Sequence, residues 1–394
     1  MHVRLGIFWF LFLGGWGVFF PFFSLYLSQE LALPPSQVGV VMAMIPLVGL
    51  VIQPLWGQLA DRTGSRRLVL AVVAAGTGLA ALGFIVPQSF PWAVAATATF
   101  ALFSTSVASM GTSVTLAGVG RDNMARFGQI RMWGTVGFLV LVVIFPRVLE
   151  RLGETPLIDG RGGLVWMFPA VFVLLALASV AALLLPRAPA LAMRSRPGDL
   201  KRLARHPPVL RLLVFVFSVH LFIQGPINFF PLYVADRGGN ASTVGNMWIF
   251  MLIVEIPLIV FSGATLQRLG ARGLLRMGLM AEGIRWILCA NVTSLPMVSA
   301  AQVLHGFGVA GILIGAPLYL EQAVPERLRS TGQALVATVT YGAGAILSNT
   351  VFGFLMDSYG VSLPYLLCGV GALVLAFLIR TYLPKPYLPD ESVA

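Results

Sequence analysis

The sequence predicts an all-α membrane protein of twelve transmembrane helices arranged as two six-helix bundles. Three observations carry this. Hydrophobic residues make up 58% of the 394 positions and charged residues only 10%, well below the roughly one quarter of a water-soluble domain. Apolar stretches long enough to cross a bilayer, about 20 residues each, fill nearly the whole chain. The cations fall in the gaps between those stretches and alternate in density from one gap to the next. A β-barrel needs short strands of alternating polarity, and runs such as Leu68-Val-Leu-Ala-Val-Val-Ala-Ala75 do not alternate. Helices are then the way left to satisfy the backbone in lipid.

Taken in order, the first crossing spans 5–28 and is dense in aromatics: Trp9, Phe10, Trp16, Phe19, Phe20, Phe22, Phe23 and Tyr26. It is too long for a signal peptide and no small-residue cleavage site follows, so it reads as a retained helix. The second, third and fourth span 37–59, 67–87 and 91–117; the fifth, 127–149, carries Arg131 and Trp133. The sixth, 163–186, closes an N-terminal bundle of residues 1–186, and an Arg- and Pro-rich linker follows over 187–207. The C-terminal bundle, 208–394, begins with the seventh crossing, 208–234, which holds His220, Gln224 and Asn228. The eighth, 243–266, holds Glu255; the ninth, 273–291, holds Glu282 and Arg285; the tenth, 296–320, holds Gln302 and His305. The eleventh, 331–356, holds Asn349, and the twelfth spans 361–383.

A net charge of +11 suggests nucleic acid in a soluble protein, but here the placement of the charges decides. With residue 1 in the cytoplasm, 21 of the 26 Lys and Arg fall on cytoplasmic segments. The outer loops hold four, Arg147, Arg151, Arg161 and Arg237, and Arg285 lies inside a helix. This is the positive-inside pattern, which puts both termini in the cytoplasm and leaves no need for a nucleic-acid partner. Two cysteines, Cys289 and Cys368, lie in different helices with no metal or disulfide spacing.

The halves repeat. Phe19-Phe-Pro21 is echoed by Phe229-Phe-Pro231, Ser36-Gln-Val-Gly39 by Ser242-Thr-Val-Gly245, and Gly57, Asp61 and Gly64 align with Gly263, Gln267 and Gly270. Parallel repeats of this kind serve alternating-access carriers. The loop after the second helix reads Gly57-Gln-Leu-Ala-Asp61-Arg62-Thr-Gly64-Ser-Arg66-Arg67. Glycines permit a tight turn and close helix approach, and Asp61 can pair with an Arg or accept from helix N-terminal N–H groups. This loop resembles the signature of the major facilitator superfamily. The resemblance implies a twelve-helix transporter fold, alternating access, and a cytoplasmic gate formed by Gly57, Asp61, Arg62, Gly64 and Arg66. Gln267 replaces the acid in the second half.

A narrower resemblance is to the phenylpropionate permease and lactose permease-like group. It rests on Phe127-Gly-Gln-Ile-Arg131-Met-Trp133-Gly-Thr-Val-Gly137 and on Ile253-Val-Glu255-Ile, Ile284-Arg285-Trp286 and Gln302-Val-Leu-His305-Gly. It implies that Arg131 binds substrate and that Glu255, Arg285 and His305 serve substrate binding and proton coupling; Glu282 is a further proton-coupling candidate. Ser104–Ser113 lacks the carboxylate that the lactose permease helix uses for sugar, which argues against a galactoside. Apart from the resemblance, ionisable groups at mid-bilayer are costly and point to function, and a carboxylate out of water holds a proton more readily. Arg131 sits near a helix end, where either a cavity-facing or a snorkelling side chain fits. Glu282 and Arg285, three apart, are either a structural pair or part of the site. Trp133, Gln224, Asn228 and Gln302 are further substrate-lining candidates, although amides also join helices. Aromatics with Arg131 suit a solute with a ring face and one polar or anionic group.

No His-Glu-x-x-His, Gly-x-Ser-x-Gly or P-loop occurs in the chain. The expected reading is a monomeric secondary transporter in the cytoplasmic membrane, not an enzyme, without a cofactor and driven by the proton motive force. Proton symport of an aromatic carboxylate, nucleoside or sugar-like solute leads; proton-antiport efflux of sugars or drugs is the alternative.

Overall fold

Lipid offers the backbone no hydrogen-bond partner, and the chain meets this by forming helices throughout. The computed structural model describes residues 2–86, 89–119, 124–152, 157, 163–185, 198–260 and 262–384, and no strand occurs among them. The long helices are α1 His2–Gln29, α2 Pro35–Thr63, α3 Arg66–Ala81, α4 Phe90–Val119, α5 Met124–Leu152 and α6 Met167–Leu183. After them come α7 Pro207–Asp236, α8 Ala241–Val260 and α9 Ser262–Asn291. The tenth, α10, consists of Leu295–Ala301 and Leu304–Ala323. Next, α11 runs through Glu326–Ala337, a π-helical Thr338–Gly344 and Ala345–Tyr359, and α12 is Ser362–Tyr382. Among the described residues, eleven helices are long and apolar enough to cross a membrane. The exception, α9, spans 30 residues and contains the predicted ninth crossing, but Arg268, Arg272, Arg276, Glu282 and Arg285 dilute its apolar character.

Two boundaries differ from the sequence reading. The eighth crossing, expected over 243–266, stops at Val260, and its last residues belong to α9. The turn comes later, at Gly270, whose φ of 63° and ψ of 176° interrupt the helix. Gly64, which caps α2, has φ 62°, so the glycines aligned by the internal repeat both adopt the left-handed φ that side chains resist. The Arg- and Pro-rich linker contains a short helix, Asp199–Arg205. Leu203 buries itself in the cluster of Val209, Leu212, Tyr319 and Leu320, and this apolar anchor orders the segment.

The chain divides into two compact units, Met1–Ala192 with Gly239–Asn246, and Met193–Gly238 with Met247–Ala394. In the first, α1 packs on α5 and α6, α2 on α4, and α3 on α4 and α6. Close packing without a hydrophobic drive needs small residues at the contact. At Gly17 a Cβ would lie 2.6 Å from the Phe138 carbonyl oxygen. Around it, α1 rings form the core: Phe19 stacks on Phe23 at 4.4 Å and on Phe100 at 4.6 Å, and Tyr26 donates to the Phe84 carbonyl at 2.7 Å. The start of α8 joins this unit, where Arg147 donates to Asn246 at 3.3 Å and Ser242 to Glu150. In the second unit α9 packs on α10 and α12, and α7 on α11 and α12.

Candidate functional site in helices α8 to α10

The second unit buries a cluster of ionisable side chains at the junction of α8, α9 and α10. Arg285 is its centre and is fully enclosed. Its Nε donates to Gln302 Oε1 at 2.8 Å, and its Nη1 reaches both oxygens of Glu282, at 2.9 and 3.2 Å. The guanidinium lies over the Trp286 ring, 3.9 Å from its centroid, a stacking contact suited to arginine. Gln302 is itself fixed, its Nε2 donating to the Val298 carbonyl at 2.8 Å.

His305 links the three helices. Its Nδ1 lies 2.8 Å from Arg285 Nη1 and 3.3 Å from Glu282 Oε1, while its Nε2 faces Glu255 Oε2 at 3.8 Å. Arginine donates and never accepts. Nδ1 therefore either accepts from Arg285 as a bare nitrogen, leaving the N–H on Nε2 toward Glu255, or carries a proton and donates to Glu282. It cannot do both, so one proton position on His305 decides which carboxylate it serves. Close packing holds the set together: Gly306 abuts the Glu255 backbone, where a Cβ would meet its nitrogen at 2.5 Å, and Gly308 leaves room for the Glu282 carboxylate. Trp248 meets His305 edge to face at 6.0 Å, and Met251 Sδ lies 4.0 Å from Arg285 Nη2. The sequence reading missed these two because an apolar residue at a helix face carries no chemical signal of its own.

Of the other predicted residues, Gln224 donates to Asn228 at 3.2 Å, and Asn228 donates to Asn349 at 2.7 Å. With Ser348 accepting from the Gly225 N–H at 2.7 Å, these amides join α7 to α11. His220 approaches the Val216 carbonyl through Nδ1 at 3.1 Å and meets Tyr341 edge to face. In the first unit, Arg131 lies over Trp9, 4.5 Å from the ring centroid, and Trp9 donates to Thr115 at 3.0 Å. Trp133 is half exposed and stands against Gly6. Most α1 aromatics, including Phe19, Phe22, Phe23 and Tyr26, are buried in their own bundle.

In the signature loop, Arg66 pairs with Asp61 at 2.9 Å, and Gly64 makes the left-handed turn. Arg62 is exposed. Among the described residues nothing lies within 4 Å of a Cβ built on Gly57. Arg67 donates to the Leu185 carbonyl at 2.9 Å and Arg4 to the Leu184 carbonyl at 2.9 Å, covering carbonyls at the end of α6.

The family model of the MFS_1 like family matches residues 2–367. The chain belongs to that family. It is a multi-pass membrane protein of the major facilitator fold, and the family and its relatives are transporters. The maltose permease of Geobacillus stearothermophilus is 28% identical over 386 residues, 95% of this chain and 93% of that one. The Escherichia coli (strain K12) protein named probable 3-phenylpropionic acid transporter is 25% identical over 376 residues, 91% of each chain. The crystal structure of nucleoside transporter NupG (D323A mutant) superposes with a TM-score of 0.85 at 18% identity, covering 97% of this chain and 99% of that one. As a member of this family, the chain is a secondary transporter of a small molecule.

Proposed function

We propose that this chain is a proton-coupled symporter of a small organic solute, working as a single chain by alternating access of its two bundles. The bundles are residues 1–186 and 208–394, joined by the basic linker 187–207. The observation that carries the reading is the position of His305, within 3.8 Å of Glu255 on one side and 3.3 Å of Glu282 on the other, with Arg285 competing for the same ring nitrogen. In the neutral ring whose bare Nδ1 accepts from Arg285, the N–H on Nε2 faces the Glu255 carboxylate, which stabilises the imidazolium formed when a proton reaches Nδ1. The imidazolium then releases Arg285 from Nδ1 and donates to Glu282, which frees guanidinium N–H groups for a solute anion or hydroxyl. Binding and protonation are thus coupled through a single side chain, and a change in helix positions alters both together.

The solute class is an aromatic carboxylate such as phenylpropionate, or a nucleoside- or sugar-like molecule, in keeping with the names of the relatives. Arg131, Trp133, Gln224, Asn228, Arg285 and Gln302 are the substrate-facing residues in this reading, and Gly57, Asp61, Arg62, Gly64 and Arg66 form the cytoplasmic gate. The membrane is the cytoplasmic one, with both termini inside. No cofactor is required beyond the proton gradient.

The test is transport by the purified protein in proteoliposomes with a pH dye, screened with aromatic carboxylates, nucleosides and glycosides. The expected result is alkalinisation of the outside on adding the right solute, abolished by Glu255→Gln. Proton release from an acid-loaded interior on adding a solute would replace symport with efflux by antiport. Solute flux without proton movement would remove the coupling role of Glu255 and His305.

A further inference from the structure

The second unit holds a concave basic site that the transport reading does not use. At Gly270 the backbone leaves helical geometry and α9 restarts at Ala271, so the amides that follow have no intrahelical acceptor. Arg272 and Arg276, four residues apart, share a face of that restarted helix. With Arg380 from the last turn of α12 and Gln322 near the end of α10 they line a cavity of about 420 Å³. Among the described residues no carboxylate lines it. Arg272 donates to the Leu383 carbonyl at a long 3.4 Å. The Nε of Arg276 is sealed from solvent without a hydrogen-bond partner, and its guanidinium sits 5.8 Å from the Phe377 ring.

Three arginines lining one cavity beside a helix start favour an anion among them. Arginine forks match tetrahedral oxyanions with paired N–H···O bonds. Beside the cavity the surface is apolar: Phe377 is 66% exposed and Leu269 45% exposed. A group with a phosphate head and a hydrocarbon body fits both features, and basic pockets between transmembrane helices hold anionic head groups.

We infer that the cavity bounded by Arg272, Arg276, Gln322 and Arg380 is a binding site for a phosphate group, occupied in the membrane by the head group of an anionic phospholipid. The site stands apart from the Glu255, Glu282, Arg285 and His305 cluster, and its test does not depend on the solute or on coupling.

The full chain is purified in detergent, stripped of lipid and offered phosphatidylglycerol or phosphatidylethanolamine, with bound lipid counted by native mass spectrometry. Wild type is expected to retain phosphatidylglycerol preferentially. Arg272→Gln, Arg276→Gln and Arg380→Gln are each expected to weaken that retention roughly fivefold, the effect of one cation near an anionic lipid. Arg151→Gln, exposed at the end of α5, is expected to change nothing. If inorganic phosphate raises the melting temperature of lipid-free wild type but not of Arg276→Gln, and no lipid preference appears, the phosphate site stands and its occupant is a soluble phosphate compound. Equal retention of the two lipids together with no response to phosphate overturns the proposal. So does phosphatidylglycerol retention that survives all three substitutions. The wild-type comparison needs no variant, so a poorly folding substitution does not leave the matter open.

Discussion

Arg285 shows what a single buried cation does in this protein. It is enclosed by Glu282, Gln302, His305 and Trp286, and removing it strands an ionised carboxylate. Loss of one partner of a buried pair costs about 3–5 kcal/mol, whereas removing both is often close to neutral. Arg285→Gln is therefore expected to lower the melting temperature in detergent sharply, and the double variant Glu282→Gln with Arg285→Gln to recover most of it. Transport is expected to stay lost in the double variant; recovery of both stability and transport would reduce the pair to a structural one. The sequence made Glu282, Arg285, Gln302 and His305 conspicuous because polar groups inside apolar runs are rare. It did not reveal that two partners compete for one nitrogen of His305, since that depends on how α9 and α10 are rotated against each other. The amides Gln224 and Asn228 were legible as candidates, yet their bonds run to each other and to Asn349, a pairing that only the α7 to α11 contact defines.

At the level of helices, glycine placement decides which pairs touch. A Cβ at Gly369 of α12 would lie 2.8 Å from the Gly283 carbonyl of α9, and one at Gly283 would lie 2.9 Å from the Gly369 carbonyl. Gly369→Val must force these backbones apart, and overpacking of this kind costs about 1–3 kcal/mol. Gly57→Ala meets open space and is expected to be neutral or to gain up to about 1 kcal/mol through helix propensity. Thermal unfolding of the two variants in one detergent checks the contrast; equal effects would mean that the α9 to α12 contact yields easily. Helix positions were readable from apolar length, because spanning a bilayer fixes that length within a few residues. The π-helical stretch Thr338–Gly344 and the short Asp199–Arg205 helix were not. Both arise from tertiary packing: Gly344 lies against His220, and Leu203 reaches the Tyr319 and Leu320 cluster.

For the whole molecule, the charge distribution and the repeat argue together. Four Lys or Arg lie on one set of loops and 21 on the other, and the bias of Lys and Arg sets the orientation of a multi-pass chain. The repeat adds an independent constraint. Gly64 and Gly270 both take a positive φ, 62° and 63°, after aligned stretches of sequence, and with six crossings between the repeats both turns are expected on the same side of the membrane. That side carries Arg62, Arg66 and Arg67 in the first half and Arg272 and Arg276 in the second. Orientation is therefore expected to be uniform, with residue 205 inside and residue 151 outside. In a background where Cys289 and Cys368, both buried, are replaced by Ser, Arg151→Cys should react with a membrane-impermeant thiol reagent in intact cells. Arg205→Cys should react only after the membrane is opened. The reverse pattern would invert the chain, move the Asp61 to Arg66 loop to the outer face, and turn symport toward the cytoplasm into export.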